Sequence, residues 1–232
     1  MNVSGREFED LAGHARHAYL RYSFTRGTAQ EVTFLRQALE LRPGMRMLDV
    51  GCGPGRHAHA LAELGVEVVG VDIAAAFLDA AGPGTWVRAD ARRLPFSRGS
   101  FDAAISLCQG GFGLLGGHDD QVVLAQMAES VRKGGRIAVS AFSAYFAVRH
   151  LEPEDTFDAG AGVNHERAEV RDPNGRAEWF DLWTTCFTPR ELRLMTAAAG
   201  LRLTALWSVR PGAYEPRPPD LEHPEFLFTA EV

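Results

Sequence analysis

The chain has 232 residues, 46% of them hydrophobic and 23% charged, and a formal net charge of -6. This ordinary globular balance excludes a disordered chain and leaves room for one large α/β domain with an insertion. The acidic excess ranks nucleic-acid partners low, because no basic stripe is present to grip phosphates. The three cysteines (Cys52, Cys108 and Cys186) are scattered, so neither a metal site nor a disulfide framework is expected. The polar N-terminus and the absence of an apolar run of about 20 residues point away from a signal peptide and a membrane span, and a cytoplasmic protein is expected.

Two helices open the chain. Residues 7–22 place Phe8, Leu11, Ala15, Ala18 and Tyr22 at near-helical spacing. Residues 29–41 place Val32, Leu35, Ala38 and Leu39 on one face, and Pro43-Gly44 ends that helix. Residues 46–50 then form a short apolar run interrupted by Asp49, the pattern of a buried strand. It breaks into Gly51-Cys52-Gly53-Pro54-Gly55, and residues 56–64 have the composition of a helix. Strand, glycine turn and helix is the layout of a nucleotide site at the carboxyl edge of a parallel sheet. Glycine tolerates φ > 0 and lets a ligand reach the backbone, while the helix N-terminus faces an anionic group. A tight turn with no ligand is the plainer alternative.

Residues 66–71 (VEVVGV) are a continuous apolar strand, as in a sheet covered on both faces. It ends in Asp72, 17 positions beyond Gly55. A carboxylate there can accept from the two adjacent hydroxyls of a ribose, or it can cap a helix over residues 74–81. A third strand spans residues 85–89 and leads into Asp90-Ala91 and Leu94-Pro95-Phe96. A fourth, residues 101–107 (FDAAISL), runs into Cys108-Gln109-Gly110-Gly111-Phe112-Gly113. His118-Asp119-Asp120 precedes a helix over residues 121–132, with Asp119 or Asp120 as N-cap. Lys133-Gly134-Gly135-Arg136 is expected to be a turn, and residues 137–142 the fifth strand.

Asp49, Gly51, Gly53 and Gly55 form D-x-G-x-G-x-G, not the G-x-G-x-x-G of dinucleotide loops. Together with the ADARRLPF stretch, the Phe101-Asp102 opening and the K-G-G turn, this pattern resembles the class I S-adenosylmethionine-dependent methyltransferases of small-molecule type. The resemblance covers residues 45–142 well. It implies a doubly wound, mostly parallel seven-stranded sheet of Rossmann-like α/β class, with N-terminal helices and a small antiparallel insertion. The expected organisation is a helical cap over 1–44, a cofactor body over 45–142 and 187–232, and a substrate-side insertion over 143–186.

The resemblance also implies S-adenosyl-L-methionine as cofactor and S-adenosyl-L-homocysteine as product. Asp49, Gly51, Cys52, Gly53 and Gly55 would form the cofactor loop, and Asp72 with Ile73 would meet the ribose. Asp90 would accept from the adenine amino group, with the Ala91 amide against the ring. Cys108 and Gln109 would face the methionine part. Tyr22, with Tyr19, would reach over from the N-terminal segment to cap the sulfonium or touch its carboxylate. The Asn/Asp-Pro-Pro-Tyr/Phe signature used on nucleobase or protein amide nitrogens is absent after the fourth strand, which argues against that subclass.

Beyond residue 142 the parallel pattern stops. Asp172-Pro173-Asn174-Gly175 is a turn, best built as a type I turn with Gly175 in a bulge. That register sets Arg167 opposite Asp181 and His165 opposite Trp183. One face then holds Trp179, Asp181, Trp183, Arg167 and His165, expected to wall the acceptor pocket together with Phe112, the alternative being that both tryptophans are core. The other holds Phe180, Leu182, Ala168 and Val170, expected to be packed. Thr188-Pro189 with Glu191 starts a helix that ends at Gly200. Strands over 201–209 and 225–232 follow, separated by a proline-rich connection.

Methyl transfer from a sulfonium is an in-line displacement that chiefly needs proximity and alignment. A general base is required only where the acceptor must lose a proton; His165 and then His118 are the candidates. The expected function is O- or N-methylation of a small molecule by a monomer or homodimer. The competing readings are an NAD(P)-dependent oxidoreductase and a non-catalytic cofactor-binding regulatory protein.

Overall fold

The computed structural model describes residues 6–108 and 110–232. Its strands are β1 (Arg46–Val50), β2 (Glu67–Asp72), β3 (Thr85–Arg88), β4 (Phe101–Ser106), β5 (Val131–Ser143), β6 (Thr156–Asp158), β7 (Val163–Arg171), β8 (Ala177–Phe187), β9 (Arg202–Val209) and β10 (Glu225–Glu231). Its α-helices are α1 (Arg6–Ala15), α2 (Thr28–Ala38), α3 (Arg56–Ala62), α4 (Ala75–Ala80), α5 (Asp120–Ser130), α6 (Ala144–Arg149) and α7 (Pro189–Ala198). The main sheet runs β3-β2-β1-β4-β5-β10-β9. Only β10 opposes its neighbours; it is antiparallel to both β5 and β9.

Side chains alternate across the strands, so each strand feeds two cores. Leu48, Val50, Ala104, Val139 and Phe228 pack on one side, under Val123, Leu124 and Met127 of α5 and Leu192 of α7. Met47, Ala103, Ile105, Ala138 and Leu227 pack on the other, under Val32 and Leu35 of α2 and Leu61 of α3. Both faces are covered by helices, which is the condition for strands such as β2 to read as continuous apolar runs. Among the described residues no helix is long and apolar enough to cross a membrane.

The seven-stranded, mostly parallel α/β sheet agrees with the sequence reading; two local expectations do not, and a third holds in position only. The helix expected over residues 7–22 stops at Ala15, because Arg16 takes φ +45 and the chain tightens into 3-10 turns at Arg16–Arg21 and Ser23–Thr25. This bend stacks Tyr19, Tyr22 and Phe24 together and sets Tyr19 on Phe77 of α4. The K-G-G segment is not a free turn but a bulge within β5. Gly134 donates to the Val232 carbonyl and Val232 donates back to Gly135. Asp119 occupies the N-cap of α5, but in a left-handed conformation whose side chain makes no capping bond. The capping box at Thr188 and Glu191 forms as expected, with Pro189 in the first turn.

Strands β6, β7 and β8 form an antiparallel extension that leaves the main sheet where Phe142 and Ser143 of β5 pair with Cys186 and Phe187. The β7–β8 register is the expected one, with Arg167 opposite Asp181 and His165 opposite Trp183. The turn closes with Gly175 at φ +87 and its amide on the Asp172 carbonyl. Val170, Phe180 and Leu182 pack on Leu11, Ala12 and Ala15 of α1. The hairpin and the N-terminal segment therefore face each other across the carboxyl edge of the sheet.

Candidate active site

A cavity of about 510 Å³ lies at that edge, between the ends of β1, β2 and β4, the N-terminal segment and the hairpin. This size is in the range of small-ligand sites, roughly 300–1,000 Å³. Its floor is the glycine loop. The Gly51 and Cys52 amides both donate to the Val71 carbonyl, which ties the loop to β2. Gly51, at φ +72, is pressed against the segment after β4, and a Cβ there would lie 0.5 Å from the Gly110 carbonyl oxygen. Gly53, at φ +52, has nothing within 4 Å of where a Cβ would be. Of the glycines in the motif, Gly51 lets two loops touch, while Gly53 leaves backbone open beside the cavity.

Asp72 reaches back into this loop. Its carboxylate accepts from the Gly53 amide at 2.8 Å and from the Ala74 amide at 2.8 Å. Burial raises its pKa against those two bonds and that of the Ile73 amide. Each oxygen retains lone-pair capacity, so a diol donor can still be received at the cavity wall. Asp49 lies beneath the loop, 2% exposed, and does not line the cavity; its Oδ2 has no hydrogen-bond partner, and burial pushes the carboxyl up to about 7. Asp90 lines the far end, where Arg92 Nη2 holds its carboxylate at 2.7 Å and lowers its pKa. Cys52, Ile73 and Ala91 line the cavity as well.

Cys108 follows β4 at φ +50, and its sulfur accepts from Arg56 Nη2 at 2.8 Å. Burial pushes the Cys108 thiol up, so it is no thiolate nucleophile. Arg56 belongs to a buried cluster that the sequence did not announce. It donates to Glu31 at 2.6 Å, and Glu31 also accepts from His57 at 2.8 Å and from the Gly212 amide at 2.7 Å. Burial alone would raise the Glu31 carboxyl, but the His57 bond and the Arg56 charge hold it below the usual range. Burial lowers His57, so its imidazole is a neutral donor to that carboxylate.

Tyr22 lines the cavity, but its hydroxyl serves the hairpin: it accepts from the Arg171 amide at 3.1 Å and donates to the Glu169 carbonyl at 3.5 Å. Tyr19 also lines the cavity, with its phenol pushed up by burial. Gln109 lies outside the described residues.

The other expected residues are placed elsewhere. Phe112 is fully buried and stacks on Phe187 at 4.9 Å, so it is core. His118 is exposed and does not line the cavity. The aromatic face of the hairpin is its outer face. Trp179 is 56% exposed under Arg167, and His165 stacks on Trp183 while bonding Asp181. The cavity instead meets the opposite face, through Glu166, Ala168, Leu182 and Thr184. That face serves two neighbours at once: α1 covers Val170 and Phe180, and the cavity borders the rest. An alternating pattern groups residues by face without saying which face turns inward.

Residues 47–135 match the family model described as a methyltransferase domain. The chain thus has the fold and motifs of the class I S-adenosylmethionine-dependent methyltransferases. It is 39% identical over 111 residues to a demethylmenaquinone methyltransferase of Beutenbergia cavernae, covering 46% of this chain and 44% of that protein. The chain thus spans just under half the length of that relative. It superposes on the CcbJ methyltransferase from Streptomyces caelestis with a TM-score of 0.72 at 22% identity, over 88% of this chain and 89% of that one. It also superposes on the 1,6-didemethyltoxoflavin-N1-methyltransferase of Burkholderia thailandensis, whose structure holds 1,6-didemethyltoxoflavin and S-adenosylhomocysteine. That TM-score is 0.59 at 19% identity, over 99% of this chain and 90% of that one.

Proposed function

We propose that the protein transfers a methyl group from S-adenosylmethionine to oxygen or nitrogen of a small molecule. The observation that carries this reading is the cavity at three adjacent strand ends, where open backbone at Gly53 stands beside the Asp72 carboxylate. The donor set fits the cofactor. Asp72 would receive the ribose, Ala91 and Ile73 would flank the adenine, and Asp90 with Arg92 would border it. Tyr19, Cys108 and Arg56 would surround the methionine end. When bound, the cofactor supplies a methyl group already activated on a sulfonium. The chain's task is then alignment and exclusion of water, and fixed orientation of this kind can supply roughly 7–11 kcal/mol.

The division of labour we infer is a cofactor body over 45–142 and 187–232, closed by a cap over 1–44 and by the insertion over 143–186. The Tyr22 bonds to Glu169 and Arg171 support it, since they join the cap to the insertion above the cavity. The acceptor is read from the cavity and not from relatives, because the family model ends at residue 135, before the insertion begins. His165 and His118 lie outside the cavity, so neither is retained as the base.

Calorimetric titration tests the cofactor. S-adenosylhomocysteine should bind one site per chain and NADH should not; the reverse would restore the oxidoreductase reading. A radiolabelled methyl screen of small acceptors then separates an enzyme from a regulatory subunit.

A further inference from the structure

One carboxyl group without an assigned role faces the cavity from the side away from the glycine loop. Glu225 opens β10, opposite Phe142 of β5 and Val209 of β9. It therefore stands at the same edge of the sheet as the glycine loop. With strands spaced about 4.8 Å apart, it lies roughly 10 Å across the sheet from the end of β4, on the side of β5 opposite to β8, because Phe142 pairs with Glu225 on one side and Cys186 on the other. Glu225 is 4% exposed and lines the cavity, and its Oε2 is buried with no hydrogen-bond partner. Leaving a buried carboxyl oxygen unpaired is costly. A donor arriving in the cavity would remove that cost.

The charges around the cavity indicate what kind of donor. Arg56 is no free counter-ion, being held by Glu31, Thr28 and Cys108. Arg92 is held by Asp90 and Asp119. Glu166 faces the cavity from β7 and, like Glu225, has no ion-pair partner among the described residues. Among the described residues, the acceptor side thus offers two carboxyl groups without an ion-pair partner and no unpaired cation.

We propose that Glu225 receives the methyl acceptor, and that this acceptor is a basic amine whose protonated nitrogen donates to Glu225 Oε2. The proposal rests on the methyltransferase reading above. One proton passes from nitrogen to Oε2: an N–H bond breaks, an O–H bond forms, and the amine keeps the lone pair it needs as a nucleophile. Burial pushes the Glu225 carboxyl up to about 7, reinforced by the Glu31 charge and opposed by the Ser140 hydrogen bond and the Arg56 charge. It can therefore exchange a proton near neutrality. The other titratable groups packed around it, Cys108 and Tyr214, stay protonated because burial raises both.

Calorimetry on protein saturated with S-adenosylhomocysteine tests this, with benzylamine as probe and benzyl alcohol as its uncharged counterpart. Wild type should bind benzylamine at about pH 8 and roughly tenfold more weakly at about pH 5.5, where Glu225 is protonated, while benzyl alcohol shows no such change. Glu225→Gln should lose roughly tenfold or more in benzylamine affinity and keep its S-adenosylhomocysteine affinity. If that variant does not fold, the wild-type pH comparison decides. Failure to bind S-adenosylhomocysteine would overturn the cofactor reading itself. With that binding intact, the amine proposal falls if benzylamine does not bind, if amine and alcohol behave alike, or if folded Glu225→Gln binds the amine as wild type does.

Discussion

The two walls of the cavity are built by opposite means. On the cofactor side the backbone makes the surface. Gly51, Gly53 and the amides held to Val71 are fixed by β1 and β2, so little depends on which way a side chain turns. On the acceptor side the surface is made of side chains from a hairpin, from α1 and from the first residue of β10. The first wall tolerates few changes because atoms are already in contact. The second is free to vary in chemistry while the register holds, which suits a fold that serves different acceptors.

The sharpest way to break this contrast is within the glycine loop. Gly51→Ala would drive a methyl into the Gly110 carbonyl at φ +72, whereas Gly53→Ala meets nothing within 4 Å and bears only the strain of φ +52. The first should cost about 4 kcal/mol or prevent folding, and the second about 1 kcal/mol. Gly53→Ala should nevertheless weaken S-adenosylhomocysteine binding, since its methyl stands where the ligand approaches. Urea denaturation and calorimetry measure both. Equal stabilities for the two variants would remove the backbone-contact explanation.

A comparable effect is expected at the joint between the walls. Arg56→Ala leaves Glu31 buried with one charge partner missing, and breaking such a pair costs about 3–5 kcal/mol. The pH dependence has a definite sign. Because the folded Glu31 carboxyl is held below its usual range, its contribution is complete above the ordinary carboxylate pKa. It is lost as pH falls through the lowered value. Removing Arg56 weakens one cause of that lowering, so the variant should be less stable than wild type near neutrality and lose less of its stability on acidification. Denaturation midpoints measured across the acid range test this; parallel curves would place the stabilisation elsewhere.

The same contrast accounts for what the sequence made legible. The succession of strands along the chain, the loop, and the positions of Asp72, Ala91 and Cys108 follow from local chemistry: apolar runs, glycine, and an acid at a strand end. The hairpin register was legible for the same reason, because Pro173 and Gly175 restrict the turn. Long-range contacts were not. Nothing local marks Glu31 as the partner of Arg56, 25 positions away, or Glu225 as a cavity residue. Which hairpin face turns inward depends on where Leu11, Ala12 and Ala15 dock, and that docking in turn depends on the break at Arg16.

The smallest expected effect tests that last point. Trp179 and His165 carry the aromatic and ionisable chemistry that suggests a binding wall, yet they lie on the outer face. Trp179→Ala removes a half-exposed ring and its contact with Arg167, worth about 0.5–1 kcal/mol. His165→Ala removes an exposed bond to Asp181, worth less than about 1 kcal/mol. Both variants should keep S-adenosylhomocysteine affinity and methyl-transfer rate within about twofold of wild type. Leu182→Ala, on the opposite face, should both destabilise the hairpin by about 2 kcal/mol and alter acceptor binding. A rate that falls with Trp179→Ala and not with Leu182→Ala would reverse the inner and outer faces of the hairpin, and with them the acceptor wall described above.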